Sequence, residues 1–263
     1  MVGKMRAGEV AFPDYWQSAE DPRVWVAIGK YDNTGRINSN QEIITDRATF
    51  DVPTGVVKCR GPGSVITRQL AKRNARRSNS TSTVPTRLAG ASDGSSGAVE
   101  FIKVDYDSVF LGNTESRELI FEGNVHTFYT DTNDWNSVPP ESILQQAGNK
   151  GVVMDCENLE IAEWTPQDSE PTIEMVATGN ARIRGGQFNA NAERVSYYQG
   201  TGQVIVQAPS RSNAEIWFKQ PGKSNKGHLI AKTITYNIDS GEYEVQEMKQ
   251  IDYSQQGPLR GQR

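Results

Sequence analysis

One phrase occurs three times in this chain and fixes most of what it can become. The stretches "RATFDVPTGVVKC" (47–59), "RVSYYQGTGQVIV" (194–206) and "TITYNIDSGEYEV" (233–245) align on an aromatic residue: Phe50, Tyr197 or Tyr236. Five residues later stands a glycine, Gly55, Gly202 or Gly241, preceded by Thr54, Thr201 or Ser240. Two residues before the aromatic stands an apolar side chain, Ala48, Val195 or Ile234. Alternation of period two places that side chain and the aromatic on one face of a β-strand. The hydroxyl–glycine pair supplies a residue that adopts positive φ in a tight connection. Each copy therefore predicts a strand, a short turn and an antiparallel return strand.

A glycine-led phrase recurs as well: "FEGNVHTFY" (121–129), "ATGNARIRG" (177–185) and, more weakly, "VAIGKYDNTG" (26–35). The repeating unit then reads as a strand begun by glycine, a second strand, the aromatic strand, the turn and the return strand. Tyr197 and Tyr236 lie 39 residues apart, a suitable length for one four-strand rung. Repeats of this length stack, each unit burying its apolar face on its neighbours. Hydrophobic residues make up 36% of the chain, which suits a thin, turn-rich body better than a thick globular core. The expected fold is all-β: an elongated stack of antiparallel rungs in two facing layers.

Two insertions break the rhythm. Residues 1–64 read as N-terminal rungs, 65–98 as a basic Ser/Gly-rich insertion, 99–253 as further rungs with a loop at 130–150, and 254–263 as a polar tail. The start of the first insertion, "ITRQLAKRNARR", reads as a short basic helix, and the second carries a Pro pair and one helical turn. Net charge is −4, yet 65–98 hold six basic residues against one acid, so the remainder is at −9. That balance argues against nucleic acid as a partner, and the basic run 68–77 has no interleaved aromatics to stack bases. No apolar run approaches the roughly 18 residues needed to span a bilayer. The opening "MVGKMRAGEVAFPDYW" reads as having no secretion signal.

Catalytic signatures are weak. "GASDG" (90–94) matches the nucleophile-elbow pattern, but no strand precedes it and no helix follows, as that motif requires. "DTNDW" (131–135) begins like a calcium loop and then places Trp135 at a ligand position. Asp105 with Asp107, and Glu157 with Glu160, read as solvated strand faces rather than as a catalytic pair. Cys59 and Cys156 match no metal-ligand spacing and read as buried, unpaired thiols. No cofactor is expected, and no residue is assigned a catalytic role.

What remains is the inward face. Alternation assigns to it Val57, Phe121, Met154, Met175, Ile183, Phe188, Val195, Tyr197, Val204, Val206, Ile216, Phe218, Ile234 and Tyr236, with Leu119, Val152, Ile173 and Ile230 beside them. Such a face is either a closed core or an apolar groove, because both need the same pattern.

The stretch "ATGNARIRGGQFNANAERVSYYQGTGQVIVQ", followed by "AKTITYNIDSGEYEVQ", resembles the OstA-like family of periplasmic lipopolysaccharide-transport proteins. The likeness rests on the Ala-x-Gly-Asn opening (Ala177, Gly179, Asn180), an alanine five residues before the aromatic (Ala192, Ala231) and the aromatic–hydroxyl–glycine hairpin. It is clearest over 172–252 and fainter over 26–64 and 99–164. In the first copy Thr45 stands at the alanine position. The resemblance implies a stack of V- or U-shaped cross-section with an apolar groove between two β-sheets. It further implies a non-enzymatic module of the periplasm or cell envelope that holds the acyl chains of lipopolysaccharide, or of another acylated envelope lipid, in the groove candidates named above. Partner proteins of the same family would join end to end through open strand edges. The alternatives are a structural β-stack with a sealed core and a carbohydrate-active β-solenoid enzyme. The latter would need shorter coils than the 39-residue spacing and a carboxylate cluster.

Overall fold

All three aromatic–glycine hairpins form, and in each the glycine takes the left-handed conformation the turn requires, with φ of 64° at Gly55, 65° at Gly202 and 71° at Gly241. The computed structural model describes residues 23–31, 35, 37–70, 99–113, 115–145, 151–164, 172–185, 188–210, 213–219, 226–237 and 240–253. The chain is all-β there. Its strands are β1 (Val24–Tyr31), β2 (Ile37–Asp51), β3 (Val56–Leu70), β4 (Val99–Tyr106), β5 (Val109–Asn113), β6 (Glu118–Thr132), β7 (Val152–Trp164), β8 (Thr172–Gly185), β9 (Phe188–Tyr198), β10 (Gln203–Gln207), β11 (Ala214–Lys219), β12 (Lys226–Asn237) and β13 (Tyr243–Tyr253). One 3-10 turn, Glu141–Gln145, interrupts them. The facing layers expected from the sequence belong to one continuous antiparallel sheet of 13 strands, not two sheets.

Long strands serve two neighbours each. The first half of β3 pairs with β5 and its second half with β4, while β2 runs along its other side. β6 divides in the same way between β5 and β4, and β12 divides between β11 and β10. Between the halves the ladder is irregular. Some strands cross this bend in a three-residue step. On β6 and β8 the step contains a Gly–Asn pair with both residues at positive φ: 84° and 44° at Gly123–Asn124, 78° and 49° at Gly179–Asn180. Gly123 and Gly179, read from sequence as strand starts, are thus mid-strand bulges, which sharpen the local twist and re-aim the chain. Each asparagine side chain reaches an acid, Asn124 Nδ2 to Asp107 Oδ2 in the β4–β5 connection at 2.8 Å and Asn180 Nδ2 to Glu157 Oε1 on β7 at 3.1 Å. Other strands cross in two residues, as at Glu193–Arg194 on β9 and Lys232–Thr233 on β12, and their inward phase flips there.

The bend brings the halves together. Phe218 pairs with Gly227, nine residues from Tyr236 on the same strand. A straight strand would hold these positions about 30 Å apart. Their rings nevertheless lie close, with the Phe218 and Tyr236 centroids at 5.6 Å. Small residues accommodate the convergence: Ala181 pairs with Ala192 and Ala214 with Ala231, next to the bend, and three of the four are fully buried. At the corresponding place on β2 stands Thr45, buried, donating to the Arg60 carbonyl at 2.6 Å and accepting from Tyr106 Oη at 3.1 Å.

Two sequence readings need correction at β3 and β12. β3 runs on to Leu70, so the first residues read as insertion or basic helix are strand. Arg68 is buried, paired with Glu42 at 2.6 Å and set over the Phe101 ring, rather than solvated. Ile230, assigned to the inward face, points outward between Leu229 and Ala231, which are both buried. The phase of Ile234 and Tyr236 does not carry back across the bend, and a change of one residue sends a side chain to the other face. The remainder of 65–98, including "GASDG", and the tail 254–263 lie outside the described residues.

Candidate functional site: the apolar interior

Three cross-strand ladders build the interior. The first runs partner to partner through Phe50, Val57, Gly112, Leu119, Ile161, Met175, Tyr197, Val204, Tyr236 and Tyr243. The second runs one pleat deeper through Ala48, Cys59, Phe110, Phe121, Leu159, Ala177, Val195, Val206, Ile234 and Val245. The third crosses the opposite half through Val26, Ile43, Val65, Val104, Thr127, Met154, Ile183, Ala190, Ile216 and Leu229. The hairpin repeat explains the first two. Each copy contributes its aromatic to the rim ladder and the apolar residue two positions earlier to the deeper one.

Of the fourteen groove candidates, twelve are buried, whereas Val57 and Met175 are partly exposed. All of them face the interior. Phe188 and Phe218 complete the rim opposite the first ladder and pair with each other across β9 and β11. Leu119 and Val152 are inward and partly exposed as well. Sequence reading missed Phe110, Leu159, Val65, Val104 and Leu229. Val65 fell within the presumed insertion, and β5 is five residues long, too short for alternation to stand out.

Polar chemistry is sparse inside. The interior thiols are unpaired, and burial raises both, Cys59 to about 11 and Cys156 to about 12. They are therefore protonated and unreactive at neutral pH. Burial also raises the Tyr106 and Tyr236 phenols. Thr127 is the polar exception in the third ladder, 6% exposed, and its Oγ1 has no hydrogen-bond partner. Among the described residues no group of three or more His, Cys, Asp or Glu could hold a metal ion. Three of the four acids considered for catalysis are engaged structurally, and the fourth, Glu160, is exposed. Asp105 bonds Ser64 and pairs with Lys103 at 2.7 Å, while Asp107 and Glu157 hold the bend asparagines.

The outer face carries a second, smaller apolar cluster. Ile66, Phe101, Phe128 and Val153 are buried beneath Ile143 and Leu144 of the 3-10 turn. Glu141 of that turn contacts His126 Nε2 at 2.7 Å, His126 Nδ1 contacts Asp155 at 2.6 Å, and Asp155 pairs with Arg184 at 3.0 Å. Burial disfavours the His126 proton, but the Asp155 and Glu141 carboxylates outweigh it and raise the net proton affinity. Further along, Trp217 and His228 stack at 4.7 Å.

No protein-family model matches the chain, and no curated protein is recognisably similar in sequence. Among the described residues no helix is long and apolar enough to cross a membrane.

Proposed function

We propose that the chain is a non-enzymatic lipid-binding and bridging module of the cell envelope. Its bent sheet would form the V-shaped stack of the OstA-like family and hold acyl chains of lipopolysaccharide, or a related acylated lipid, between its two halves. One observation carries this reading: apolar ladders cross ten strands without a charged side chain. Transfer of an acyl chain onto such a surface gains about 0.8 kcal/mol per buried CH₂, and apolar contact is non-directional, so the chain is free to slide. Among the described residues the strands at the two ends of the sheet, β1 and β13, each pair with one neighbour. Their other edges suit strand addition by a further stacked protein. On β13 the inward-facing Met248 is 56% exposed and Ile251 37%, so the last rung leaves apolar surface for such a neighbour.

A second reading, the sealed structural stack, draws on the full burial of Val204, Val206, Ile216, Leu229 and Ile234. Native mass spectrometry of the purified protein separates the two. Adducts with the mass of an acylated lipid, released on mild unfolding, are expected. An adduct-free spectrum together with no uptake of a fluorescent fatty-acid analogue would overturn lipid binding and leave the sealed stack.

A further inference from the structure

The interior is not uniform along the stack. In mid-stack, the rim residues Leu119, Ile161 and Met175 are partly exposed, as are Ile102, Tyr129 and Val152 on the opposite half. These strands have neighbours on both sides, so this exposure is no end effect. On β9 to β12 the rim is shut. Tyr236 of one half touches Phe188 and Phe218 of the other, at ring-centroid distances of 5.9 and 5.6 Å, and Phe218 also meets Tyr243 at 5.6 Å. The closure is built into the backbone as well. Gly227 lies under the Phe218 ring, where an added Cβ would come within 2.5 Å of it.

We propose that Phe188, Phe218, Tyr236 and Tyr243 form an aromatic clasp that ends the lipid slot, so that an acyl chain enters and lies between β2 and β8 and stops at β9. This rests on the lipid-binding reading above. The stretch of the rim ladder before β9 crosses six strands, β2, β3, β5, β6, β7 and β8, and is partly exposed at each but β5, where Gly112 is buried. At the usual strand spacing that is about 24 Å. One leaflet of acyl chains is roughly 15 Å deep, half the hydrocarbon thickness of a bilayer. A single extended chain therefore fits along the open rim without opening the clasp. The unpartnered Thr127 Oγ1 faces this same stretch, from the third ladder between Val104 and Met154.

Photolabelling with a palmitic acid that carries a terminal diazirine tests this, with labelled peptides mapped by mass spectrometry. The wild-type protein should be labelled on β6 to β8 and spared on β10 to β12. Phe218→Ala and the milder Tyr236→Leu, each checked for a native near-ultraviolet circular dichroism spectrum, should extend labelling onto β10 to β12. Met175→Trp, which fills the mid-stack rim, should lower total labelling several-fold. Equal wild-type labelling of both regions overturns the clasp and leaves lipid binding intact. No saturable labelling anywhere overturns the lipid reading on which the clasp rests.

Discussion

Met175 and Tyr197 are cross-strand partners, yet the first is partly open at the rim of β8 and the second is buried one strand further on. The same ladder passes through both. What changes is the residue that meets it from the other half. In mid-stack the facing rim carries Ile102, Tyr129 and Val152, all of which stay partly exposed. Past β9 it carries Phe188 and Phe218, whose rings reach Tyr236. The outer faces differ in the opposite sense. The middle rungs wear the 3-10 turn over Ile66, Phe101, Phe128 and Val153, whereas the C-terminal rungs present the Trp217–His228 stack. One apolar repeat thus yields two kinds of rung, separated by whether aromatic rings from the two halves meet across the rim.

The largest expected effect lies in the clasp. Phe218→Ala should cost about 3–5 kcal/mol, the usual range for a buried phenylalanine. Met175→Ala should cost under about 2 kcal/mol, below the range for fully buried methionines, because its side chain already meets water. Urea denaturation of both variants with matched m-values measures the difference. Similar costs would mean that the middle rim is as closed as the clasp.

A smaller effect is expected at the bends. β8 turns through Gly179 at φ 78°, where an added Cβ would come within 2.5 Å of the Glu157 Cβ. Gly179→Ala should cost about 1–3 kcal/mol through backbone strain. The two-residue steps on β9 and β12 contain no glycine, so Arg194→Ala at the first should cost under about 1 kcal/mol, as surface substitutions do. Thermal unfolding of the pair checks this. Equal losses would show that the two bends are equally constrained.

These bends are also where sequence reading stopped. Within each half, alternation was enough: Val195 with Tyr197, Val204 with Val206 and Ile216 with Phe218 all face inward as period two requires. The three-residue steps preserve the inward phase and the two-residue steps reverse it, so a pattern extended through Lys232–Thr233 put Ile230 on the wrong face. Gly179–Asn180 reads as a strand start because the glycine-led phrase recurs, and nothing local distinguishes a glycine at a strand start from one in a bulge inside a strand. Arg68 looked solvated because its partner Glu42 lies 26 residues away, across a strand pair the sequence does not announce. The clasp needs contacts between residues on opposite sides of a bend. Period two located its members but could not pair them.

The smallest expected effect concerns the turn that covers the middle rungs alone. His126 lies among Glu141 from the turn, Asp155 from β7 and, in the cross-strand position on β4, Asp105; Arg184 holds the far side of Asp155. The carboxylates raise the histidine's proton affinity above its ordinary value, although burial opposes them. A group whose affinity rises on folding stabilises fully below its unfolded pKa of about 6.5 and loses that contribution as pH climbs through the folded value. The turn should therefore be held most firmly under mildly acidic conditions and loosen toward alkaline pH. Hydrogen exchange of residues 133–145, corrected for intrinsic rates, should show protection falling between pH 6 and pH 9, while β10 and β12 stay level. His126→Gln should flatten the change, since glutamine bonds the same carboxylates without titrating. Protection that stayed level across this range would mean the Ile143 and Leu144 contacts hold the turn and the imidazole does not. The outer cover of the middle rungs would then be as independent of pH as the aromatic closure of the C-terminal ones.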